Sequence, residues 1–308
     1  MRTTSSKLVK GLIDNLWGQY LQRVPYARKY ADLVTAKGGQ VVHDHLAFRT
    51  LNTPTGEQPA GIAALAHIFE TLHYKRAGKY RFPNIHVNAV HLEHPDPLLP
   101  RIFISQLDVD AMPDWVKQVV RDTVHDAPYL LSEQAIELMN IVGKSGSITQ
   151  EAATILVEEL TGYFRLPWIL PTRDNLLNIN DVSQYAAWTL LHGNAVNHFA
   201  ANINLQQVPE WPDIETTIGV LSEAGIPFKD TVEGDRNSIL RQSATAAVKE
   251  SFRLKDSDGE FRELEWTYAY YEFTERGFYM SDEGEKLFGG FITDQATQLF
   301  KMTETRDN

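Results

Sequence analysis

The sequence predicts an α+β fold in which two β-α-β-β-β modules form a barrel, with a block of helices inserted between them. Three observations point there. The element order read over residues 41–110 recurs over 193–280, the mark of an internal duplication. Short apolar-alternating runs bounded by Gly or Pro read as strands. The stretch between the modules carries helical spacing instead.

Taken in order, residues 1–40 hold two helices. Leu8, Leu12, Leu16 and Tyr20 recur at helical spacing, as do Tyr26, Tyr30 and Leu33, and Pro25 falls between the runs where a helix start tolerates it. The first module, 41–110, reads as a strand (41–49), a helix (59–72) and strands near 74–80, 85–93 and 101–108. Residues 111–192 form the insertion, with apolar runs at Val116–Val120, Ile136–Ile141 and Ile155–Leu160, a Pro-containing link at 166–171 and a further helix from about 181. The second module, 193–280, opens with a strand at 196–204. A helix carrying Ile214, Ile218 and Leu221 follows, then strands near 226–230, 238–253 and 264–276. A closing helix is expected over 291–301 in the remaining 281–308. Two curved sheets of this kind bury their concave faces around a cleft, where a site would form.

Composition narrows the function. A net charge of −11 over 308 residues, without a basic stripe, argues against nucleic-acid binding. No cysteine occurs, which excludes disulfides, thiolate zinc sites and Cys nucleophiles, so any metal must sit on His, Asp and Glu. Neither a secretory leader nor an apolar run of ~20 residues is present, so no membrane partner is expected and the cytoplasm is the expected compartment. The sequence sets no oligomeric state. Phosphate loops, a Gly-x-Ser-x-Gly elbow and a His-Glu-x-x-His helix are all missing.

Strand alternation assigns side chains to faces. Val41, His43, His45, Ala47 and Arg49 share one face of the first strand; Val196, His198, Ala200 and Asn202 share one in the second module; Tyr270, Glu272, Thr274 and Arg276 share one in its last strand. If these strands meet, His45, His198 and Glu272 offer two imidazoles and a carboxylate, the ligand set of a non-haem Fe(II) site with positions left for substrate and oxygen. A single His in an apolar strand is more often a hydrogen-bonded core residue; the repeated placement in both opening strands is what favours a metal. Arg49, four residues beyond His45, suits a substrate carboxylate through a bidentate pair, and Arg276 stands likewise beyond Glu272. His43 is a candidate second contact beside His45, and His192 a candidate to close over the cleft. Gln242 and Ser243 could hydrogen-bond a keto acid. The final strand of the first module has no acid to match Glu272, which leaves one site.

The segments Asp44-His45-Leu-Ala-Phe-Arg49, Ala187-Trp188 with His192-Gly193 and Asn197-His198-Phe199, and Tyr271-Glu272-Phe-Thr-Glu-Arg276 resemble the 2-oxoadipate dioxygenase/decarboxylase family. More distantly they are similar to the vicinal-oxygen-chelate superfamily. The resemblance spans about residues 40–290. It implies a vicinal-oxygen-chelate-type barrel, Fe(II) on His45, His198 and Glu272, and Arg49 on the substrate carboxylate. It also implies a reaction, 2-oxoadipate and O₂ giving 2-hydroxyglutarate and CO₂, with no second oxo acid needed. Bacterial members of the family are longer, with an extra C-terminal portion at the substrate pocket, whereas this sequence stops soon after Phe288-Gly-Gly-Phe291. An oxygen-independent metal lyase or isomerase of the same fold, or a metal-free binder of small molecules, are the alternatives.

Overall fold

In the computed structural model, residues 1–292 and Thr303 are described, apart from positions 57, 230 and 283; beyond Phe291-Ile292 the expected closing helix lies outside the described residues. A short strand β1 (Arg2–Thr4) leads into α1 (Ser5–Arg23) and α2 (Pro25–Ala36). Pro25 is the first residue of α2, where its missing N–H has no helical partner to lose. Leu8, Leu12, Leu16 and Tyr20 are all buried along α1, and Tyr30 along α2, with Tyr26 and Leu33 only partly covered.

The first module comprises β2 (His43–Leu51), α3 (Gly61–Thr71), β3 (Lys75–Phe82), β4 (Val87–Glu93) and β5 (Arg101–Leu107). The insertion follows as α4 (Asp114–Val124), α5 (Glu133–Ser145), β6 (Ser147–Thr149), α6 (Gln150–Tyr163), α7 (Arg173–Val182) and α8 (Gln184–His192). Where the sequence suggests one helix from about 181, two meet at Ser183. Its backbone ends α7, and its hydroxyl accepts from Ala186 N to start α8. The insertion is tied to the N-terminus by antiparallel pairing of β1 with β6.

The second module comprises β7 (Val196–Asn202), α9 (Ile214–Glu223), β8 (Leu240–Ala244), β9 (Lys249–Lys255), β10 (Phe261–Thr267) and β11 (Glu272–Arg276). The long strands expected at 238–253 and 264–276 are bent. Their near halves, β8 and β11, join the main sheet, while β9 and β10 form a hairpin of their own. Bonds from Val248 N to Ala269 O and from Thr245 N to Tyr271 O carry the ladder around the bend. The strand expected at 226–230 survives as the bridge from Phe228 to Thr245, and a separate bridge beyond it joins Glu233 to Gln242. A last hairpin, β12 (Phe278–Ser281) and β13 (Gly284–Leu287), follows.

Seven strands make one sheet in the order β3-β4-β5-β2-β7-β11-β8. Within each module the opening strand lies parallel to the closing one, β2 with β5 and β7 with β11. The modules do not present two separate sheets, because β2 and β7 pair antiparallel and make the sheet continuous. That pairing puts the two opening strands side by side. One face, bearing Leu46, Phe48, Phe199, Tyr271 and Phe273, is buried with α1, α2 and α3 in the larger core. The other carries Ala47 and Phe103 in a second core with α4, α7 and α8.

Candidate metal centre

Because β2 and β7 are neighbours and β11 lies next to β7, His45, His198 and Glu272 meet on the inner face of the sheet. All three are buried. His45 Nε2 lies 3.2 Å from His198 Nε2. The carboxylate of Glu272 lies 3.5 Å from His45 Nε2 through Oε1 and 3.4 Å from His198 Nε2 through Oε2.

The proton positions follow from the neighbours. His45 Nδ1 is 2.9 Å from Asp44 Oδ2, and His198 Nδ1 is 3.0 Å from Asn197 Oδ1. Both partners are acceptors, so each Nδ1 carries the hydrogen and each Nε2 turns a lone pair inward. Two lone pairs then face a carboxylate whose Oε2 is buried with no hydrogen-bond partner among the described residues. This crowd of electron density repels itself unless a cation sits among the three. Donors 3.2–3.5 Å apart suit one ion held at about 2.0–2.2 Å from each. The residues therefore fit a divalent metal.

Each of the three is held in place. Gln242 Nε2 and Thr274 Oγ1 both donate to Glu272 Oε1, which leaves Oε2 turned to the histidines. The Tyr270 ring stacks on His198 at 4.7 Å. Burial pushes the Glu272 carboxyl up from its ordinary value, although His45 opposes this. Burial, then His45 and Arg49, hold His198 well below the usual histidine range. Burial alone would raise Asp44, but the Arg276 guanidinium and His45 hold it well below the usual carboxylate range.

Alternation misplaces some residues because both opening strands shift register beside their histidine. On β2 the shift falls between His43 and His45, and on β7 it leaves Asn197 out of the pairing. His43 therefore does not share a face with His45; its ring packs on Trp17 and Phe199 on the helix side. Asp44 and Asn197, which alternation turns away, instead reach the imidazoles of His45 and His198.

Other expected contacts are also redirected. Arg276 is not free for a substrate, since Nε and Nη2 bind Asp44 at 2.6 and 2.8 Å and Nη1 donates to the carbonyls of Phe288 and Gly290. Ser243 points to the opposite face from Gln242 and donates to Thr231 O. His192 stays out of the cleft, buried among Trp188, Phe252 and Tyr268 beside the Thr267 carbonyl, because α8 ends there and Gly193 turns the chain into β7. That turn needs glycine: φ is +59°, and a Cβ would lie 2.7 Å from Leu166 Cα. Arg49 is buried, its guanidinium 5.0 Å from the rings of both Tyr185 and Trp188 and close enough to His198 and Tyr270 for its charge to act on both.

A cavity of ≈ 30 Å³ opens beside the triad, lined by His45, Ala47, Phe48, Phe103, Ser105, Asn197, His198, Gln242, Tyr270 and Phe291. Phe291 was not foreseen at the site. Its ring meets His45 edge-on at 4.9 Å and Phe103 at 4.9 Å, and its N–H donates to Tyr80 Oη. Tyr80 in turn contacts His91 Nδ1 at 2.8 Å, and the His91 ring lies 5.4 Å from that of Phe291. Only the motif Phe288-Gly-Gly-Phe291 drew notice to this segment in the sequence.

Solved structures share this architecture. A glyoxalase-superfamily protein from Ralstonia eutropha JMP134 superposes with a TM-score of 0.85 at 25 % identity, over 94 % of this chain and 87 % of its own. Hydroxyglutarate synthase from Oryza sativa, solved in complex with 2-oxoadipate, gives 0.75 at 22 % identity, over 97 % and 93 % of the two chains. In sequence, the chloroplastic 2-oxoadipate dioxygenase/decarboxylase of Arabidopsis thaliana is 27 % identical over 299 residues, covering 89 % of this chain and 71 % of the relative. A family profile matches residues 12–308, nearly the whole sequence, and by that match the chain belongs to the 2-oxoadipate dioxygenase/decarboxylase family.

Proposed function

We propose that the chain is a non-haem Fe(II) dioxygenase that decarboxylates a 2-oxo acid, converting 2-oxoadipate and O₂ to 2-hydroxyglutarate and CO₂, with the cytoplasm as its expected compartment. The observation that carries this reading is the inward pair of Nε2 lone pairs beside the orphaned Glu272 oxygen. Two imidazoles and one carboxylate suit Fe(II) and leave positions for other ligands. The named relatives, one of them solved with 2-oxoadipate, support the substrate. Bound there, Fe(II) would supply the redox chemistry that couples loss of the carboxylate to reduction of O₂.

The chain's own residues have separable tasks. His45, His198 and Glu272 hold the ion, while Gln242 and Thr274 aim the carboxylate. Arg49 supplies positive charge next to His198 and Tyr270, where a substrate carboxylate can meet its planar guanidinium. Ala47, Phe103 and Phe291 give the cavity apolar walls that limit water.

An oxygen electrode with Fe(II)-loaded protein and 2-oxo acids of graded chain length tests the proposal. O₂ uptake matched by CO₂ release is expected, greatest with 2-oxoadipate. His198→Ala and Glu272→Ala should fall below about 1 % of that rate, since even partners of metal ligands cost ~10–100-fold. Stoichiometric iron without turnover across the panel would overturn the reading. Turnover without oxygen on Zn(II) would replace it with a lyase or isomerase.

A further inference from the structure

We propose that Asp44 and Arg276 are positioning residues that latch the segment from Phe288 to Phe291 to the ion-facing orientation of His45. The proposal rests on the metal reading above and adds a mechanical link to it. One guanidinium makes both connections: two of its nitrogens grip Asp44, and the third holds the carbonyls of Phe288 and Gly290. Asp44 passes the constraint on through its bond to His45 Nδ1. At the far end, Phe291 lies against His45 and over Arg276, at 4.9 and 5.3 Å.

The second module shows why the charge on Asp44 matters. Asn197 stands in the same relation to His198 and bonds its Nδ1 without carrying a charge. An amide is therefore enough to orient an imidazole, and the carboxylate has a further task, which is to bind Arg276. Both side chains are almost fully buried, at 1 % exposure each. Removing Asp44 would strand the buried Arg276 charge, whereas without Arg276 the carboxylate would keep only the longer contact to Arg101 Nη1 at 3.6 Å and its bond to His45, so the pair is costly to break. Because coupling is reciprocal, an ion on His45 should steady the segment as the segment steadies His45.

Hydrogen exchange and Co(II) titration of the full chain test this without turnover. In the wild type, Co(II) should slow exchange of the Phe288 and Phe291 amides, which bond to Gly277 O and Tyr80 Oη. In Asp44→Asn and Arg276→Lys, Co(II) affinity should drop about 10–100-fold, the Co(II) absorption bands should shift, and the Co(II)-dependent protection should vanish. Arg276→Lys keeps a cation in the core and serves if Asp44→Asn fails to fold. Wild-type affinity and protection in both variants would overturn the latch, as would weakened Co(II) binding with the protection intact. His198→Ala separates the two ideas: tight Co(II) binding in that variant defeats the metal reading itself, whereas its loss alongside unaltered Asp44→Asn and Arg276→Lys proteins defeats only the latch.

Discussion

In the first module the opening strand presents Asp44, His45 and Ala47; in the second it presents Asn197, His198 and Ala200, each histidine holding its Nδ1 hydrogen against the residue before it. The closing strands keep the same register and diverge in chemistry. Ala200 pairs with Glu272 across the parallel β7–β11 ladder, and Ala47 pairs with Phe103 across β2–β5. Phe103 thus occupies the position in the first module that Glu272 holds in the second. The duplication delivers two imidazoles by symmetry but only one acid. What the symmetric fourth donor would fill is instead the apolar wall where Phe103 meets Phe291. The asymmetry leaves the triad with three donors and an apolar wall on its fourth side.

Restoring the symmetry should therefore do the most damage. Phe103→Glu places a second carboxylate beside the triad, and divalent ions should bind more tightly while oxygen-dependent turnover falls by more than about 100-fold, a loss like that of removing a ligand. Phe103→Leu, which keeps the wall apolar, should retain most of the activity. Metal content and O₂ uptake measured on the same samples decide the matter. Turnover that survives Phe103→Glu would mean that the first module's closing strand does not face the reacting ion.

This equivalence was only partly visible before the structure. Period-two alternation and helical spacing depend on local sequence, so the module order, the N-terminal helices and the faces bearing His45, His198 and Glu272 could be read directly. The missing acid in the first module was also legible. Alternation fails where a register shift intervenes, and it does so beside both histidines, which hid Asp44 and Asn197 and misassigned His43. Other contacts depend on residues far apart in the chain. Arg276 meets Asp44 across 232 positions, and nothing in either strand announces that the arginine is already engaged. The same holds for Phe291 over the cavity and for His192, whose buried setting is made by α8 and the β9–β10 hairpin together.

A smaller effect should come from the neighbour of His198. Phe199 follows His198 on β7 but points to the helix side, fully buried, with the rings of Trp17, Tyr20 and His43 within 5.0 Å. Phe199→Ala should cost about 3–5 kcal/mol of stability, as large-to-small changes in a packed core do. Its folded fraction should still bind metal, because the opposite face of the strand is untouched. Urea unfolding together with Co(II) titration separates the two. A folded Phe199→Ala protein unable to bind metal would show that the two faces of β7 are not independent.

The smallest effect lies where the modules are entered differently. The second module's opening strand is reached from α8 through His192, which is buried and whose proton affinity is held well below the usual 6.5 by burial and by Arg23. Glu250 comes within 3.9 Å of His192 Nδ1 but is gripped by Arg23 at 2.7 Å, so it offers the imidazole little stabilisation as a cation. The folded state thus keeps His192 neutral while the unfolded chain protonates it below pH 6.5. Its contribution to stability is complete above that pH and shrinks as the pH falls, by about 1.4 kcal/mol per unit until the buried ring itself takes a proton. His192→Gln removes the titration, so the loss of unfolding midpoint between about pH 7.5 and 5.5 should be smaller in the variant than in the wild type. An equal loss in both proteins would assign the acid sensitivity to other groups and leave His192 as packing alone.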